Sequence, residues 1–161
     1  MGHNVYKVTY KPPKSPLHGL FTGGENIVKE IIIDGKNFDD EEGFYKEIDK
    51  LLTRDLNWKT GHNLDAFNDL LRGGFGVHEY GEELRITWVN ASKSKIDFGY
   101  DAAVEHWEKA LKICHPTSQE RVAKKICDAQ NHVGQTLFDI IVDIIVDSDG
   151  TGHFCTLEIR D

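Results

Sequence analysis

Cysteine is scarce and lacks a framework. Cys114, Cys127 and Cys155 are odd in number, and no C-x-x-C pair occurs. Such spacing gives no basis for a disulfide scaffold, so the thiols are expected to be reduced and mostly buried. His115 and His132 stand near the first two and His153 near the third, but without an H-x-x-x-H spacing no metal site is expected. Long apolar runs are missing too. The greasiest stretch, Ile140 to Val146, is broken by Asp143 and falls far short of the roughly 20 residues a bilayer demands, so no membrane association is expected. The opening Met1-Gly2-His3-Asn4 leads into alternating polar residues instead of an apolar signal core, which favours a cytoplasmic location. There is no serine, histidine and acid arrangement and no glycine-rich phosphate loop, so neither catalysis nor a cofactor is expected.

Basic residues are in deficit. The net charge is −8, and no basic stripe exists to neutralise phosphates, which argues against direct nucleic-acid binding. The acidity is segregated. Ten acidic residues stand against five basic ones between 34 and 69, and six against one between 137 and 161, a net −10 in two segments. That distribution serves solubility or matches a basic macromolecular partner.

What is present fits one α/β domain spanning residues 1–161, a length that supports one hydrophobic core. Residues 1–29 form an N-terminal extension, in which the alternating Val5 to Tyr10 suggests an edge strand ended by Pro12 and Pro13. Glu30 to Gly35 is a β-branched run suited to a strand buried on both faces. Acids at 39–42 open an amphipathic helix carried by Phe44, Ile48, Leu51 and Leu52 to about Arg54. A second strand covers Glu83 to Val89, with Trp88 in the core. Residues 97–133 read as an inserted helical pair. His115-Pro116 ends the first helix, and Thr117-Ser118-Gln119-Glu120 matches a capping box for the second. Thr136 to Asp147 is a buried helix with an acidic stripe at Asp139, Asp143 and Asp147, and His153 to Arg160 is a closing strand.

The stretch from Trp58 to Gly74 carries the chemistry. Asn63 is a good N-cap, Gly73 or Gly74 a good stop, and Leu64, Phe67, Leu70 and Leu71 form the apolar face of a helix over roughly 64–72. Asp65 sits in the first turn, where the helix dipole favours it. Asp69 sits in the last turn, where the dipole opposes it, one turn from a like charge. A pair placed at a cost of a few tenths of a kcal/mol implies a cationic partner outside the chain.

Gly61-His62-Asn63-Leu64-Asp65-Ala66-Phe67-Asn68-Asp69, following Ile31-Ile32-Ile33-Asp34-Gly35 and an acid-led helix, resembles the barstar family of bacterial intracellular ribonuclease inhibitors. The likeness runs from about Glu30 to Lys95 and resumes near Gly134. It implies a small, mostly parallel three-stranded sheet with covering helices, and a protein that plugs the active site of a basic nuclease toxin with acidic side chains. On this likeness Asp69 enters the nuclease site, with Asp65, Asn63, Gly61 and His62 beside it, and Asp147 is the acid from the last helix. Three departures stand out: Lys59-Thr60 where the family has paired aromatics, and Asn68 and Phe75 where it has tryptophans. They alter the contact surface, so the cognate nuclease is expected to differ from barnase.

Two other readings compete. An acidic α/β module could bind a non-nuclease partner, for instance through the helical pair. An enzyme could use the acidic ladder of the last helix for a divalent metal, but three acids on one helix give no enclosing cage.

Overall fold

The computed structural model describes residues 7–8, 28–74, 76–146 and 152–161. Its elements are β1 (Lys7–Val8), β2 (Lys29–Asp34), α1 (Glu41–Leu52), α2 (Leu64–Leu71), β3 (Leu84–Val89), α3 (Ala91–Asp97), α4 (Tyr100–Ile113), α5 (Gln119–Gln130), α6 (Leu137–Val146) and β4 (Cys155–Ile159). The sheet order is β1-β4-β3-β2. Strands β2 and β4 both run parallel to β3, as an α/β order requires, and β1 adds a two-residue antiparallel edge against β4.

Alternation along the strands sets the two faces. The register aligns Ile31 with Ile86 and Leu157, and Ile33 with Trp88 and Ile159; all six are buried under the helices. The other face carries Glu30, Arg85, Thr87, Thr156 and Glu158. Here one expectation is corrected. Strand β2 is not buried on both faces: it forms the sheet edge, and Ile32 is 58% exposed. A run of isoleucines satisfies a two-sided strand and a one-sided edge equally well, and among the described residues the helices cover the Ile31/Ile33 side.

Trp88 is the centre of the core. Phe44 of α1 stacks on it at 5.7 Å, Phe138 of α6 lies at 5.0 Å, and its Nε1 donates to Ser94 Oγ at 3.0 Å, so the buried indole leaves no donor unpaired. Phe67 of α2 meets Phe44 edge-on at 5.3 Å, which couples α2 through α1 to the sheet. Each such buried aromatic or aliphatic side chain contributes about 1.5–3 kcal/mol of burial energy.

Helix α3 was not foreseen in the sequence. Asn90 adopts the left-handed conformation (φ 52°) ahead of it, and Asp161 Oδ1 accepts from Ser92 N at 2.8 Å, a cap supplied from the far end of the chain. Helices α4 and α5 pair with each other, and Ala103 and Ala129 join the main core. The foreseen capping box before α5 does not form. Thr117 lies in a 3-10 turn (Pro116–Ser118), its N–H donates to His115 Nδ1 at 3.3 Å, and Ser118 caps with no side-chain bond. Proline at the first position of that turn favours the tighter start.

Candidate functional site

Helix α2 forms as its sequence indicates. Asn63 is extended (φ −152°) and its Oδ1 accepts from Ala66 N at 2.8 Å, while Phe67, Leu70 and Leu71 are buried and Leu64 packs partly covered against them. The helix stops where Gly73 turns left-handed (φ 77°); a Cβ there would lie 2.2 Å from Glu79 O. The chain then folds back, and Val77 N donates to Leu52 O at the end of α1.

The polar face of α2 is open. Asp65 and Asp69 are exposed and Asn68 is half-buried. Asp69 nevertheless has a cation in its own chain: Arg72 Nη1 lies 3.3 Å from its Oδ1, with side chains 37% and 62% exposed. Asp69 thus finds a cation within the chain, where the sequence pointed to one outside it. An i,i+3 arginine can reach back one turn, but at such exposure the pair is worth about 0–1 kcal/mol.

Gly61 is exposed, and a Cβ there would crowd Asn63 Nδ2 at 3.0 Å and Ala66 Cβ at 3.4 Å, so the glycine leaves room for the cap. His62 turns inward onto α1. Its Nε2 lies 2.7 Å from Asp49 Oδ2, its Nδ1 lies 2.8 Å from Glu42 Oε1, and its ring stacks on Tyr45 at 5.7 Å. Thr60 Oγ1 donates to the other oxygen of Asp49 at 2.6 Å. The Asp49 bond raises the imidazole pKa; burial opposes the rise and the Glu42 bond adds to it. For Tyr45, burial is the main cause of a raised phenol pKa, followed by its hydrogen bond to Glu41, and Asp65 adds to the rise through space.

Phe75 and Asp147 lie outside the described residues. On α6, Asp139 Oδ2 accepts from Thr136 N and Oγ1 at 3.0 and 2.8 Å, and Asp143 accepts from Gln135. Two members of the acidic ladder are thus occupied by their own helix start. Just beyond α2, Tyr80 is 77% exposed and sets its Cβ 3.4 Å from where a Gly74 Cβ would be. In the sequence it is a lone aromatic in a polar turn. Trp58, in the loop before α2, is 52% exposed.

A mostly parallel sheet that carries, through an aromatic core, a short capped helix with exposed acids defines a small α/β protein with an acidic edge. Over residues 28–144 the chain matches the family model described as Barstar (barnase inhibitor), and it belongs to that family. The matched span includes α4 and α5. No curated protein and no solved structure matches the chain. No helix among the described residues is long and apolar enough to cross a membrane.

Proposed function

We propose that this protein binds a basic ribonuclease in the cytoplasm and blocks its active site as an inhibitor or immunity protein, with no catalysis of its own. The observation that carries the reading is the exposed Asp65/Asp69 face of α2 in a chain of the Barstar family. A ribonuclease must hold RNA phosphates with cationic side chains, and two carboxylates one helical turn apart offer those cations the same charge. Asp69 is the central contact and Asp65 its neighbour. Asn63 and Gly61 shape the helix entry, His62 fixes the loop behind it, and Asn68 borders the acids. Tyr80 adds an exposed aromatic of the kind that anchors interfaces. Phe75 and Asp147 belong to the assignment on family likeness alone.

The test is capture from the cells that make this chain. Immobilised protein should retain a small basic protein that leaves only at high salt and cleaves RNA once released. Recovery of RNA-cleaving activity by an Asp65→Ala/Asp69→Ala column at the wild-type level would contradict the reading.

A further inference from the structure

The imidazole of His62 faces a carboxylate from each ring nitrogen, Asp49 at 2.7 Å and Glu42 at 2.8 Å, both on α1. A neutral imidazole has one N–H and one lone pair, so it can donate to only one of them and must point the lone pair at the other oxygen. Only the imidazolium donates to both. The protonated ring therefore fastens the loop entering α2 to α1, across 13 and 20 residues of sequence. Asn63, the cap of α2, is the next residue.

We infer that His62 in its protonated form is the positioning residue for the acidic face of α2, and that this face loosens from α1 when His62 loses its proton. The inference rests on the reading of α2 as the recognition edge. It assigns His62 a part in arranging that edge instead of touching the partner.

Charged groups among the described residues bear on this proton. From α1 they are Asp49, Glu42, Glu41 through the Tyr45 hydroxyl, and Lys46, whose Nζ approaches the same Glu42 Oε1 at 3.8 Å. From α2 there is Asp65, close enough to act on Tyr45. Acids predominate among these described groups, so the setting favours the cation. The raised imidazole pKa agrees with it. The sign follows: the clamp is fully made below the ordinary histidine value of 6.5 and is lost as pH rises through the higher folded value.

The experiment needs no partner. In the purified protein, the His62 ring is titrated by NMR from pH 5 to about pH 10 while amide protection, corrected for intrinsic exchange, is followed at Leu56, Ala66 and Phe67. These amides bond to Thr53 O, Asn63 Oδ1 and Asn63 O and report the loop and the cap. Protection should fall about tenfold in step with His62 deprotonation, with core amides of β3 unchanged. His62→Gln, which has no second donor along the ring axis, should show the loosened pattern at every pH. Asp49→Asn should lower the titration midpoint and move the protection step with it. Protection at Ala66 and Phe67 that stays flat across the His62 midpoint would overturn the inference, as would a His62→Gln protein with the wild-type acid pattern. Because no nuclease enters the assay, such a result would leave the inhibitor reading standing. Conversely, an Asp69→Ala protein that still inhibits would remove that reading without touching the clamp.

Discussion

Asp69 holds its carboxylate 3.3 Å from the Arg72 guanidinium, so the acid proposed to enter the nuclease already has a cation one turn away. Both side chains are substantially exposed, and such a pair gives way readily to a better-placed cation. Arg72→Gln should therefore change stability by no more than about 0.5 kcal/mol. It should also speed association with the captured nuclease severalfold at low salt, because the field of α2 becomes more negative. Stopped-flow association rates decide it. A slower rate would mean that Arg72 contributes contacts to the partner.

Charge should also show in the salt dependence. The two acidic segments concentrate −10, and attraction between exposed charges is screened over about 8 Å at physiological ionic strength. The association rate should drop by about tenfold or more between low and high salt, while dissociation changes little. Equal effects on both rates would speak for an interface held by apolar contact.

Gly76 is fixed by its surroundings. It is left-handed (φ 81°), and a Cβ would lie 2.1 Å from Leu52 O, the acceptor that ties the return loop to α1. Gly76→Ala should destabilise the protein by about 1–3 kcal/mol or more, read from denaturant midpoints at constant slope. Gly81→Ala, which is left-handed but meets nothing within 4 Å, should cost less.

Acid stability has a named source. His106 Nδ1 lies 2.9 Å from Glu41 Oε1 and joins α4 to α1 with both side chains largely covered. Burial by itself would raise the Glu41 pKa, but the bonds from His106 and Tyr45 outweigh it and hold the carboxyl below its usual 4.5. A depressed carboxylate stabilises the fold above pH 4.5, and that contribution disappears as pH falls through the lower folded value. Glu41→Gln should flatten this acid limb. Urea melts from pH 5 down to about pH 2.5 would show an unchanged limb if the pair is inert.

Helix α2 was legible because its signals are local. Asn63, Gly73 and the spacing of Leu64, Phe67, Leu70 and Leu71 each act within one or two turns. Trp88 as core followed from alternation along its own strand. What escaped depends on partners distant in sequence. Among the described residues no second layer covers Ile32, and no residue near it in sequence records that. Helix α3 is short, lacks a long apolar stripe, and takes its cap from Asp161. The pairing of His62 was not legible because its two acids lie in the preceding helix, and Glu41 gave no hint of a histidine 65 residues away. Arg72 is the exception, since an i,i+3 pair can be read from spacing alone.

The most direct test of the account is the affinity of the captured nuclease for wild type and for Asp69→Ala, with Phe67→Ala as the control for folding. Phe67 is buried, and its truncation should cost about 3–5 kcal/mol of stability. Asp69→Ala should melt like wild type and lose about 2 kcal/mol or more of binding, roughly 30-fold in Kd, a range drawn in part from the barnase–barstar complex itself. An Asp69→Ala protein that binds the nuclease and blocks RNA cleavage as tightly as wild type would contradict it.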